Sequence, residues 1–384
     1  MAATPPHVTR YGEGSTFFHQ LWQFFISTTE SELTRWRYEF TSDERIKILQ
    51  REENYETMLT HFCDSTALRD IPNATDVHGK CAVCRKYVGG CPAPLTDIGF
   101  ADASNSPSPH LMLGSGLNCM PRAACAPTSW LSSLEALFTN QSKLVSKEDL
   151  FLPDACNISF VTRNADGRVL IYMMYRYGLY VDFLKQHDQL TRAKTTVMEI
   201  GAGWGGFAAL VKHMVPTSRY IILDIPTSLP LQMSYMHHLG HRNIVTLQSN
   251  ATRADVKELL CCSKFDVLFI LPHQIELLPD GAVDLTVNLD SMVEMPAAAI
   301  RHYLPHISRL SQAFYANNRQ GSHNGWPIFR ASVDKYLINN RNHPWQLVGQ
   351  RKAPYKLAGA KLAKWNDHVM MAGMHTDLFL RRTA

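Results

Sequence analysis

The segment Val197–Leu210, VMEIGAGWGGFAAL, constrains this chain more than any other. It reads as an apolar strand carrying an acid, a turn with glycines at alternate positions, and an apolar helix start. Glycines spaced this way let a ligand approach the backbone, and the first N–H groups of the following helix face that ligand. The segment predicts a strand–turn–helix unit that cradles a nucleotide-bearing cofactor. A turn that merely connects would need neither the alternation nor the additional Gly206.

The sequence on either side repeats the same alternation. Residues 195–200, 219–226, 243–248, 265–271, 283–289 and 312–318 are short apolar runs suited to buried strands. Residues 207–215, 227–240 and 297–311 carry helical patterns, the second with Pro230 in its first turn and Gly240 as its stop. Strands alternating with helices predict an α/β, Rossmann-like, mainly parallel sheet with helices on both faces. An N-terminal helical and loop-rich region is expected to precede it, with the division at 1–164 and 165–384. Within the first part, residues 15–62 suggest helix, and TSDE at Thr41–Glu44 fits a capping box.

Two cofactors compete for the glycine turn. Gly201, Gly203 and Gly206 satisfy the dinucleotide pattern, and Asp224 lies near the distance at which such a site holds a ribose. Glu199 argues for another ligand. A carboxylate two residues before the first glycine suits a cationic head such as the amino group of S-adenosylmethionine, and sits awkwardly beside a pyrophosphate.

Through EIGAGWGG and ILDIP, the chain resembles the class I S-adenosylmethionine-dependent methyltransferases. The resemblance implies that Glu199, Gly201, Gly203, Gly205 and Asp224 bind S-adenosyl-L-methionine, with Asp224 taking the ribose hydroxyls. Further on, LDIPTSLPLQMSYMHHLG and the block holding Asn288, Ser291, Glu294, Met295 and Tyr303 resemble sugar O-methyltransferases. That second resemblance covers roughly residues 165–320. It implies O-methylation of a sugar hydroxyl on a glycan or glycosylated metabolite. A phenolic or other natural-product hydroxyl, or a cofactor-holding subunit without turnover, are the alternatives.

Methyl transfer from a sulfonium is an in-line displacement, so the site must align three atoms and remove a hydroxyl proton. The loop after residues 283–289 is expected beside the reacting methyl, bringing Asn288, Asp290, Ser291 and Glu294 to the reaction. Glu294, His273 and Asn288 are the catalytic candidates, with His302 and His368 as further possible bases. Glu294 also lies just before Pro296, where an acid suits a helix start. Asp284 and Asp290 flank the strand without metal-ligand spacing, and no metal is expected. Tyr172, Tyr175, Tyr177 and Tyr180 fall on a helix read as 170–184, either as core packing or as a stacking surface for a sugar.

Cys81 and Cys84 form one C-x-x-C, followed by Cys91, Cys119 and Cys125. The second pair has the wrong spacing for a four-ligand zinc site, so reduced thiols are the expectation. With nine cysteines and no apolar leader in the N-terminal residues, a disulfide framework is disfavoured and the cytoplasm is the expected location. A net charge of +4 without clustered Lys/Arg disfavours a nucleic-acid partner. No apolar run reaches membrane-spanning length, so no membrane partner is expected. The expected partner is a small-molecule or glycan acceptor. The sequence is silent on oligomeric state.

Overall fold

The computed structural model describes residues 5–11, 20–21, 23–24, 128–153, 161–225, 228–262, 265–319, 325–342, 345–352 and 375–383. They fall into two compact units. One lies within 1–41, 189–354 and 373–384, the other within 42–188 and 355–372. The cysteine motif Cys81–Cys125 and His368 lie outside the described residues; of the helical reading of 15–62, residues 20–21 and 23–24 are described, as helix, and the rest lies outside them.

Of the second unit, residues 128–153 and 161–188 are described. Helix α1 (Thr128–Gln141) packs on helix α2 (Tyr172–Gln186), and β2 (Val161–Arg163) pairs with β3 (Val169–Ile171) as an antiparallel ribbon. Asp182, buried on α2, accepts the backbone N–H groups of Lys143 and Leu144 at 2.7 and 2.5 Å, closing the turn after α1. Tyr175 and Tyr180 of α2 are buried in this unit. Tyr175 lies 5.7 Å from the Phe138 ring and donates to Glu135 at 3.4 Å, while Tyr180 is buried against Arg176. The helix starts two residues later than expected.

The first unit is a mixed α/β fold built on a nine-stranded sheet. Its strands are β1 (Val8–Arg10), β4 (Thr196–Ile200), β5 (Arg219–Leu223), β6 (Ile244–Leu247), β7 (Val267–Ile270), β8 (Val283–Leu289), β9 (Ser311–Arg319), β10 (Trp345–Lys352) and β11 (His375–Arg382). Their spatial order is β1-β6-β7-β5-β4-β8-β9-β11-β10. The six strands from β6 to β9 are parallel to their neighbours. β1 runs antiparallel to β6, and β11 runs antiparallel to both β9 and β10. Thus Val8–Arg10, from the stretch expected to precede the sheet, forms its edge.

The central strands are Val-, Ile- and Leu-rich because both their faces are covered. All of β4, β6 and β7 is buried. The helices are α3 (Gly206–Met214), α4 (Leu229–His238), α5 (Arg253–Cys262), α6 (Ala297–Leu310) and α7 (Gly325–Val333). Met198, Ile200, Ile221 and Leu223 share one apolar core with Val256 and Leu259 of α5, Ile300, Leu304 and Ile307 of α6, and Phe329 and Val333 of α7. At the end of α5, Cys261 and Cys262 are exposed free thiols.

This topology positions a site. From β4 the chain crosses through α3 to β5 on one side, and it later returns to β8 on the other side of β4. The connections therefore part at the carboxyl ends of β4 and β8, the place where open α/β sheets bind ligands.

Candidate functional site

The glycine turn closes directly onto this switch point. Gly201 has φ +72°, and a Cβ there would sit 2.3 Å from Ser291 Oγ, in the loop beyond β8. Only glycine permits both the backbone conformation and the approach. Gly203, at φ +59°, differs: a Cβ there would meet nothing within 4 Å. The turn is thus tight on the β8 side at Gly201 and open at Gly203. Gly205 precedes the first turn of α3 and takes a left-handed conformation.

Asp224, just past β5, braces the turn from beneath. Its carboxylate accepts Ala202 N–H at 2.9 Å, Ile225 N–H at 2.8 Å and Gln232 Nε2–H at 2.6 Å. Gln232, buried on α4, also donates to Gly203 O at 2.8 Å. Burial pushes the Asp224 carboxyl up to about 6, against the lowering effect of these hydrogen bonds. The expected site residues Gly201, Gly203, Gly205 and Asp224 are therefore brought together. Gln232 was not foreseen, because its link to the turn is tertiary.

Glu199 is brought to the same strand end but is 1% exposed, and Tyr220 Oη–H donates to its Oε2 at 2.8 Å. Burial raises its carboxyl to about 8, opposed by the Tyr220 bond and reinforced by Asp224. Burial therefore favours the neutral form of Glu199. The raised value also has a stability consequence. A carboxyl whose folded pKa lies above its unfolded value contributes stability in full below the unfolded value, and loses it as pH rises through the folded value. Glu199→Gln should therefore flatten the fall in thermal midpoint between pH 5 and pH 8, by on the order of 3 kcal/mol at the upper end. Parallel pH–melting curves check this; superimposable curves would remove Glu199 from the titrating set.

Asn288, next to the last residue of β8, is fully buried and stitches the switch point together. Its Nδ2 donates to Ile200 O at 2.8 Å and to Ser291 Oγ at 2.5 Å, while its Oδ1 accepts Met292 N–H at 3.2 Å and Asn318 Nδ2–H at 2.9 Å. The amide expected to be catalytic is thus committed to fixing the β4 and β8 ends. Asn288→Ala would leave buried donors on Met292 and Asn318 without this acceptor. It should cost about 2–3 kcal/mol, read as a lower urea midpoint; an unchanged midpoint would contradict the stitching role.

Beyond β8, Asp290 takes φ +62°, a conformation that short polar residues tolerate, and its N–H donates to Asn317 O at 2.7 Å. Its Oδ2 lies 3.0 Å from His375 Nε2 at the start of β11. The His375 side chain is 3% exposed and that of Asp290 is 26% exposed, so the carboxylate is the outward member of the pair. Beneath them, Asp377 accepts from Tyr315 Oη at 2.9 Å and from Asn317 Nδ2 at 2.5 Å. The carboxyl ends of β8 and β9 and the amino end of β11 thus form one buried polar layer. His375 and Asp377 had no local sequence signal.

The remaining candidates separate. Glu294 closes the short 3-10 turn Met292–Glu294 in the loop after β8, and its side chain lies outside what the structure describes. His273 lies in the 3-10 turn Pro272–Leu277 after β7, electrostatically close to His302 of α6. Asp284 lies near the other end of β8, where it accepts Thr196 N–H at 2.7 Å, so it does not converge with Asp290.

No family model and no curated protein matches the chain. Among solved structures it is similar to the mitomycin 7-O-methyltransferase MmcR, at 12% identity and TM-score 0.29, covering 55% of this chain and 57% of that one. It is similar to an O-methyltransferase family protein from Burkholderia thailandensis, at 14% identity and TM-score 0.32, covering 55% and 59%. It is also similar to the geranyl diphosphate C-methyltransferase from Streptomyces coelicolor A3(2), at 12% identity and TM-score 0.34, covering 56% and 78%. The chain spans less than two thirds of the length of the first two. Likeness this distant assigns neither residue roles nor a substrate.

Proposed function

We propose that this chain is an S-adenosylmethionine-dependent O-methyltransferase acting on a sugar hydroxyl of a glycan or glycosylated metabolite. The observation that carries the cofactor is the glycine turn at the β4–β8 switch point, tight at Gly201, open at Gly203 and backed by Asp224. Its arrangement fits a ligand bearing a ribose, with Asp224 facing the turn. The sugar acceptor rests on the sequence resemblance of the block around Asn288–Tyr303.

When bound, S-adenosylmethionine supplies a methyl group on a good leaving group. The chain's own residues would do the rest. Gly203 leaves room for the ligand against the backbone. Asp224, already hydrogen-bonded to the turn, would accept from the ribose hydroxyls. Asp290 is the outward carboxylate beyond β8 and would take the hydroxyl proton as general base, with His375 orienting it.

Asp224→Ala should weaken S-adenosylhomocysteine binding by about 10- to 100-fold, or roughly 1–3 kcal/mol. Unchanged affinity in calorimetry would sink the ribose assignment. The function is tested with S-adenosylmethionine labelled in the methyl group, incubated with the protein and a panel of free sugars, glycosides, phenols and short RNA. Label in sugars or glycosides alone is the expected result. Label in phenols alone would replace the acceptor class, label in RNA would overturn the exclusion of nucleic acid, and cofactor binding without any transfer would make the chain a binding subunit.

A further inference from the structure

A second cluster of chemically capable side chains lies where the turn Pro272–Leu277 meets α6. His302 and His306 stand one helical turn apart on the same face of α6, with ring centroids 5.0 Å apart. Glu276 reaches the pair from the turn. Its carboxylate and one nitrogen from each ring all lie within 4.8 Å of one another. Ligand bonds of roughly 2.0–2.2 Å in a tetrahedral site place neighbouring ligand atoms roughly 3.3 Å apart. Side-chain rotations of about an ångström would close the gap. Glu276 is exposed and the histidines are half-buried, so the side chains have room to make them.

The Arg309 and Arg253 guanidiniums lie close enough to act on His306, so a cation here must be held by its ligands against them. His302 makes a hydrogen bond to the Pro272 carbonyl, which fixes one ring nitrogen as the donor and presents the other. Metal-bound histidines are commonly oriented in this way. One contact competes. Arg309 Nε donates to His306 Nδ1 at 3.0 Å, while its terminal nitrogens are held by Leu278 O at 2.6 Å, Ile275 O at 2.9 Å and Asp280 at 2.8 Å. A cation would have to displace the Nε bond alone, leaving the guanidinium tethered.

We propose that Glu276, His302 and His306 bind a first-row divalent ion of the zinc class, with water completing the coordination. Two imidazoles and a carboxylate form a donor set of that class. The ion clamps the segment entering β8 to the helix that follows it, so it braces the strand whose carboxyl end carries Asn288 and Asp290. The assignment is independent of the methyl-transfer reading.

The test uses the full chain, stripped with a chelator and titrated with zinc by calorimetry and with cobalt by visible absorption. Glu276→Gln and His306→Gln are the variants; the first alters an exposed side chain and keeps the fold. The expected result is a zinc-dependent rise in thermal midpoint, with affinity at least 10-fold weaker in both variants. Cobalt bands should lack thiolate charge-transfer and should fade in both variants. Zinc affinity unchanged in both variants, or a cobalt spectrum dominated by thiolate bands, would assign any bound metal to the cysteines and overturn the proposal. Absence of zinc binding would overturn it as well.

Discussion

Gly201→Ala is expected to abolish measurable S-adenosylhomocysteine binding, with affinity lowered more than 100-fold. Two effects combine. A Cβ at φ +72° is strained wherever it occurs, at roughly 1–2 kcal/mol. This one would also sit 2.3 Å from Ser291 Oγ, and Ser291 has little freedom to yield. Its hydroxyl donates to Ile200 O at 3.0 Å and accepts from Asn288 at 2.5 Å. Relief must therefore come from parting the β4 and β8 ends, which is where the cofactor is proposed to lie. Gly203→Ala provides the comparison. It carries similar backbone strain but meets no atom of the protein, so it should fold with a smaller stability loss and lose binding through collision with the ligand. Calorimetric titration and thermal midpoints of the two variants separate these effects. Equal, near-wild-type affinities would show that the turn is only a connection.

Asp290→Asn is expected to lower turnover by about 10²- to 10⁴-fold while leaving cofactor affinity within a factor of two or three. Asparagine keeps the left-handed backbone and the size of the side chain, so the loop beyond β8 should hold its shape. What is lost is the carboxylate. His375→Gln tests the orienting role: it should reduce kcat less than Asp290→Asn and change KM little. The comparison needs the acceptor found by the labelled-methyl screen. Full activity in Asp290→Asn would hand the proton to another group, with Glu294 the first to examine.

Much of this arrangement was legible in the sequence because it is local. The glycine turn declares itself through residues that tolerate positive φ, and β4 through β9 through apolar runs buried on both faces. The sheet edges were less legible. Val8–Arg10 is too short to announce a strand, and β10, WQLVGQRK, is as polar as a loop. β11 opens with His375, Thr376 and Asp377, a polar start that is nonetheless buried because neighbouring strands supply partners. The His375–Asp290 pair spans 85 residues, and no local pattern could have joined its members. Asn288 was expected at the reaction because of its place in the loop-bearing block. In the structure its amide bonds across the β4–β8 junction. His302 and His306 show the opposite limit: their spacing is visible in sequence, but Glu276 joins them only through the packing of the turn on α6.

The central claim is that the switch point holds S-adenosylmethionine. Its most direct test is calorimetric titration of the purified protein with S-adenosylmethionine, S-adenosylhomocysteine and NAD in parallel. Micromolar binding of the first two, with no heat from NAD, is the expected result. Binding of NAD alone would contradict it, and the roles given to Glu199, Asp224 and Asp290 would fall together.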